Sequence, residues 1–180
     1  MIFNMSELRI IVDHMKLDYS GLLDIKGLFK LINAWTMERA FQKKEDKNHE
    51  QNINGEKFIE YEISHWKKVS DYTRHVYKIR ALFQNFKKVD VTLDSKRKKL
   101  DQGRILIYFD GFIEHDYEHR WDGNPLFVFF RTLYDKFVYR AYTNKFEQHI
   151  THDIHNLYNE IEKFLNTYRS YKVVSKMPHF

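Results

Sequence analysis

Apolar residues recur at helical spacing along the stretch 124–168: Leu126, Phe129, Phe130, Leu133 and Phe137, then Ile150, Ile154, Leu157, Ile161, Leu165 and Tyr168. Asn124 is suited to cap such a helix, and Pro125 to occupy its first turn without losing a needed donor. One straight helix over the whole stretch would run roughly 68 Å. A compact chain of 180 residues is only about 40 Å across. The stretch is therefore predicted to break near 139–144, where Tyr142, Thr143 and Asn144 are mediocre helix formers. The first piece, 125–139, is apolar over a broad arc (Leu126, Phe127, Val128, Phe129, Phe130). The second, near 146–168, carries a narrower stripe.

Upstream the period is mostly two. Leu8, Ile10 and Val12 alternate with Arg9 and Asp13, and Met15, Leu17 and Tyr19 continue the pattern, which predicts one long or bent strand over 8–22. Asp24 then caps a helix with the apolar face Ile25, Leu28, Phe29, Ile32 and Trp35, ending near Phe41. Residues 42–55 hold no apolar residue except Ile53 and close on Asn54-Gly55. They read as a solvated, mobile loop. Three strands follow: Ile59, Tyr61 and Ile63; then His75, Tyr77, Ile79, Ala81 and Phe83; then Val89, Val91 and Leu93. The segment 104–117 is the strongest strand. Ile105, Ile107, Phe109, Gly111 and Ile113 form one face, and Leu106, Tyr108 and Phe112 make the other nearly as apolar, as expected of an interior strand.

This order predicts an α+β domain over 1–170 with a short tail at 171–180: a curved antiparallel sheet with an N-terminal helix and a long C-terminal helix packed on it. In element order the chain resembles the helix-grip fold of the START and polyketide-cyclase-like (SRPBCC) superfamily. That resemblance implies a sheet wrapped around the last helix and an enclosed apolar cavity. Segments such as Leu17-Asp18-Tyr19-Ser20-Gly21-Leu22, Trp121-Asp122-Gly123-Asn124-Pro125 and Leu133-Tyr134-Asp135-Lys136 also resemble a group of small archaeal proteins to which no activity is attached.

Composition narrows the function classes. The absence of cysteine excludes disulfides, thiol catalysis and cysteine-based zinc sites. No apolar run approaches the 18 or so residues that span a bilayer, and the first residues lack a secretory pattern, so a cytoplasmic protein is expected. The net charge of +5 is concentrated in 56–100, which carries 12 basic and 6 acidic residues. Within it, Lys87, Lys88 and the turn Lys96-Arg97-Lys98-Lys99 form a candidate anion-binding patch for nucleic acid or an anionic membrane. The competing reading is cross-strand charge pairing that leaves a merely solvated surface.

Aromatic content is high at 17%. Trp35, Phe109, Phe130, Tyr134 and Tyr158 fall on or beside predicted inward faces. They are the candidate lining of a pocket for an apolar small molecule or lipid, or else plain core. Phe127 and Phe129 are candidates for a partner-protein or homo-oligomer surface. Glu114-His115-Asp116-Tyr117-Glu118-His119 is the densest titratable cluster, and a metal-dependent enzyme on His115 and His119 is the third reading. On a strand, residues four apart lie about 13 Å apart, so solvated side chains are the better account. His149, His152 and His155 step around a helix and read as its polar face. No nucleophile–base pair, phosphate loop or dinucleotide fingerprint is visible. The expectation is a non-enzymatic domain without cofactor or bound metal, holding a hydrophobic or amphipathic ligand between sheet and C-terminal helix.

Overall fold

A computed structural model describes residues 7–53, 56–70, 72–93, 96–115 and 140–169. It is an α+β structure: five antiparallel strands in one sheet, with two helices packed on it. The elements are β1 (Glu7–Leu23), α1 (Ile25–Glu38), β2 (Gln42–Ile53), β3 (Glu56–Lys68), β4 (Thr73–Leu93), β5 (Lys96–His115) and α2 (Arg140–Thr167). The sheet order is β1-β5-β4-β3-β2, so the first strand pairs with the last and the middle of the chain runs as a meander.

The predicted alternation decides which face is covered. Ile105, Ile107, Phe109 and Ile113 of β5 are fully buried beside Tyr77, Ile79, Ala81 and Phe83 of β4. Register places Ile107 opposite Ala81 and Phe109 opposite Ile79. Above them Ile150, Ile154, Leu157, Ile161 and Leu165 line the buried stripe of α2. This helix approaches so closely that a Cβ added to Gly111 would collide with Ile154 Cδ1 and stand 2.7 Å from Ile150 Cγ2. A glycine is what lets the helix seat there.

Three strands carry bulges, with register shifts at Ile10–Val12–Met15 in β1, Glu45–Lys47 in β2 and Gln84–Lys87 in β4. Two of them hold a residue at positive φ, His14 at 48° and Asn85 at 55°. Each bulge bends its strand and adds twist. The bulge in β4 also joins into one strand what alternation alone divides in two, at 75–83 and 89–93.

Asp24 caps α1 as predicted, accepting from the Gly27 backbone N–H at 3.0 Å. The helix stops at Glu38 rather than near Phe41. Ala40 takes φ 58°, while its N–H donates to Met37 O and that of Phe41 donates to Thr36 O, both at 3.0 Å. This is a Schellman-type ending with alanine where glycine is usual.

The reading of 42–55 as a loop is corrected over 42–53, which form the edge strand β2. Its side chains over 42–52 are exposed on both faces, so no apolar stripe marks it in the sequence. Backbone pairing with β3, from Gln42 opposite Trp66 to Ile53 opposite Glu56, holds it in place. Polar links add to this: Lys47 Nζ lies 2.5 Å from Glu60 Oε2, and Ser64 Oγ donates to Asp46. Lysines along the strand keep a sheet edge from templating further strands. Helix α2 starts at Arg140, earlier than the predicted 146; the predicted helix at 125–139 lies outside the described residues. No helix among the described residues is long and apolar enough to cross a membrane.

Candidate functional site

The two helices divide the sheet between them. Helix α2 covers β1 and β5, whereas α1 lies over β3 and β4. Beyond α1 the sheet continues into β2, which over 42–52 offers no apolar side chain to fill the space beneath the helix. A cavity of about 270 Å³ results. Its helix wall is Ile25, Leu28, Phe29, Ile32 and Asn33. Its sheet wall is Ile59, Tyr61 and Ile63 of β3 with Ile79, Ala81 and Phe83 of β4. Asn48 and Glu50 of β2 stand at the outer side. Phe29 reaches across, edge-on to Tyr61 with ring centres 4.8 Å apart and tilted against Phe83 at 5.9 Å.

The polar groups cluster at the rim. Lys43 Nζ donates to Asn33 Oδ1 at 2.9 Å, and the Tyr61 hydroxyl donates to Glu45 Oε2 at 3.4 Å. Burial, and then the neighbouring Glu45 carboxylate, raises the Tyr61 phenol above its ordinary pKa, so it stays a neutral donor. An apolar floor with a few polar groups at the mouth is the usual make-up of a small-molecule site.

One inward step further along β3 from Ile63, His65 is fully buried, and among the described residues neither ring nitrogen has a hydrogen-bond partner. Burial, assisted by Lys43, pulls its pKa down to about 4. His75 on β4 is buried beside Phe146, its Nε2 without a partner among the described residues, and burial lowers it to about 4 against the opposing pull of Asp153. Both imidazoles are neutral at pH 7.

The aromatic candidates are distributed elsewhere. Trp35 packs against Phe41, donates its indole N–H to Asn156 Oδ1 at 2.8 Å, and carries the Arg39 guanidinium 4.1 Å above its ring. It borders a shallow groove between the helices with Leu31, Glu38 and Glu160. Phe109 is buried in the core, edge-on to Tyr158 at 5.9 Å. Tyr158 borders a smaller cleft with Leu17, Tyr19 and Arg169. None of these three lines the cavity under α1. Phe130, Tyr134, Phe127 and Phe129 lie outside the described residues.

Of the basic candidates, Lys87, Lys88, Lys98 and Lys99 are exposed on the paired ends of β4 and β5, and Lys96 and Arg97 stand in register opposite Leu93 and Thr92. Acidic residues are interleaved with them: Lys88 is opposite Asp101 and Lys99 opposite Asp90, while Lys98 Nζ lies 3.9 Å from Asp24. His115 is buried, its Nδ1 3.0 Å from Thr73 Oγ1 and its ring stacked on Tyr72 at 5.5 Å. His119 lies outside the described residues. His149, His152 and His155 are exposed on α2, the polar face that their spacing predicts.

Every apolar residue of the cavity wall belongs to a face that periodicity identifies. What escaped was the gap, because it depends on 42–53 extending the sheet beyond the reach of α1. Comparison with protein-family models, curated proteins and solved structures finds no match to this chain.

Proposed function

We propose that the chain binds a small apolar or amphipathic molecule between α1 and strands β2–β4. The observation that carries this reading is the cavity of about 270 Å³, largely apolar on its helix and sheet walls, with Asn48 and Glu50 at its outer side. Its volume is close to the lower end of the roughly 300–1,000 Å³ typical of ligand pockets. It exceeds the ~150 Å³ of an engineered apolar cavity that takes up benzene. Close packing of Ile150 and Ile154 on Gly111 fills the sheet under α2 at that point, so the ligand is assigned to the α1 side. A bound molecule would place its apolar body on Phe29, Ile63 and Phe83, and its polar end toward Asn48 and Glu50 of the edge strand.

The test is displacement of a fluorescent apolar probe such as 1-anilinonaphthalene-8-sulfonate by fatty acids and fatty amines of graded chain length, in the wild type and in Ala81→Leu. Ala81 is buried in the cavity wall, and the larger side chain would project into the open volume. The variant is expected to lose at least about tenfold in probe affinity, equivalent to about 1.4 kcal/mol, while melting no lower than the wild type. Equal probe binding in both proteins, or none in either, would overturn the proposal.

A further inference from the structure

The sheet face turned away from the helices carries a network of ion pairs among the described residues. Asp18 is held by Arg104, through two bonds of 3.0 and 2.7 Å, and by Lys16 at 3.3 Å. Glu60 is held by Lys47 at 2.5 Å and Arg80 at 2.7 Å, Glu62 by Lys78 at 2.5 Å, and Glu114 by Arg74 at 2.5 Å. At the bulge of β1 the pattern stops. Asp110 of β5 and Asp13 of β1 face each other across His14, and among the described residues neither has a lysine or arginine partner. The cations nearest in register are already committed: Lys78, opposite Asp110, reaches Glu62, and Lys16, opposite Tyr108, reaches Asp18. Two carboxylates thus share one imidazole. A mostly buried carboxylate is costly unless compensated, and among the described residues Asp110 has the His14 imidazole and backbone N–H for this.

We propose that Asp13, His14 and Asp110 form a binding site for a divalent metal ion of the class that accepts mixed carboxylate and imidazole donors, such as Mn²⁺, Fe²⁺ or Zn²⁺. One donor atom from each residue lies within 4.8 Å of the others. Ligands about 2.1 Å from a common ion lie up to roughly 4.2 Å apart, so only a small closure is required. The more buried ligand is already fixed: Asp110 Oδ1 accepts from the His14 backbone N–H at 2.6 Å, and His14 Nδ1 lies 3.4 Å from that same oxygen. The other two are free to adjust, since the Asp13 and His14 side chains are each 69% exposed. His14 Nδ1 donates a hydrogen bond to Asp13, and that proton is released to solvent when the nitrogen turns to the ion. The oxygen-rich set with one imidazole suits this class better than a purely oxygen-liganded cation. The exposed side leaves the remaining coordination positions to water or to a small anionic ligand. The site is on the opposite face of the sheet from the cavity under α1 and stands independently of it.

Mn²⁺ alone is the probe, added to the full chain and followed by electron paramagnetic resonance for the bound fraction and by amide line-broadening for its place. One Mn²⁺ per chain is expected, with broadening centred on 13–14 and 108–110. Asp13→Asn and Asp110→Asn should each weaken binding at least tenfold. The amide introduced by Asp110→Asn keeps an acceptor for the His14 N–H while removing the charge. Should that variant fold poorly, Asp13→Asn at the surface decides the matter alone. Absence of binding, binding unchanged in Asp13→Asn, or broadening centred on the exposed His149, His152 and His155 of α2 would overturn the proposal.

Discussion

The hydroxyl of Tyr77, in the middle of β4, donates to Asp153 Oδ2 of α2 at 3.0 Å and so joins the sheet to the C-terminal helix through the core. Tyr77 is 1% exposed, and burial together with the adjacent carboxylate holds its phenol far above the ordinary value, so the proton stays on the oxygen. Tyr77→Phe removes the donor and leaves Asp153 to the solvent that reaches its partly exposed side chain. A hydrogen bond to a charged group contributes about 1.5–3 kcal/mol net, and the partial exposure points to the lower end. A fall in melting temperature of several degrees is expected, at about 2–4 °C per kcal/mol for a chain of this size. An unchanged melting temperature would show that the bond contributes nothing.

Gly111 and Ile154 are expected to be coupled. Gly111→Ala alone should destabilise by about 1–3 kcal/mol, because a methyl group driven into Ile154 Cδ1 forces the helix or the rotamer to shift. Ile154→Val alone, which deletes that same Cδ1, should cost about 0.5–1.5 kcal/mol. Together they should cost less than their sum by more than about 0.5 kcal/mol, beyond the scatter expected of independent sites. Denaturant unfolding of the four proteins measures the cycle, and strict additivity would mean that the helix does not seat on Gly111.

Ala40 holds a left-handed conformation that costs a non-glycine residue roughly 1–2 kcal/mol. Ala40→Gly relieves that strain, and only part of the gain is lost to the greater freedom of glycine in the unfolded chain. Because Ala40 is exposed, no packing is sacrificed. A rise in stability of about 0.5–1 kcal/mol is expected by denaturant unfolding, and a fall would show that Ala40 leaves the left-handed region in solution.

Much of this architecture could be read from side-chain period alone. Ile105, Ile107, Phe109 and Ile113 announce an inward face at every second residue, and Ile150, Ile154, Leu157, Ile161 and Leu165 announce a stripe at every third or fourth; all nine are buried. β2 was invisible because periodicity reports burial, and Lys43, Lys44, Lys47, His49 and Gln51 are buried on neither face. Their conformation is set by the backbone of β3, which leaves no trace in their composition. The cavity inherits that blindness, since its existence depends on how far the sheet extends past α1. The Asp13–His14–Asp110 cluster escaped for a related reason. Its members are 96 residues apart at the widest bond, and the bulge at Ile10–Val12–Met15 that turns His14 toward Asp110 breaks the alternation that would otherwise locate it.

The two buried histidines make stability depend on pH below neutrality. Both His65 and His75 are held near pKa 4 in the folded chain, mainly by burial, against about 6.5 when unfolded. Between these values the unfolded chain binds more protons than the folded one, so stability must fall as pH falls from about 6.5 toward 4 and be flat above 7 with respect to these groups. Each histidine contributes a slope of up to about 1.4 kcal/mol per pH unit within that window. His65→Leu removes two unpartnered buried nitrogens at the cost of none of the described hydrogen bonds. It is expected to raise the melting temperature at pH 5 and to shrink the difference between pH 5 and pH 7.5 by about half, leaving the His75 share. Melting curves of wild type and variant at the two pH values measure this. A wild-type melting temperature equal at both would mean that the imidazoles reach water in the folded state, and that the packing of β3 and β4 under the helices is looser than the structure has it.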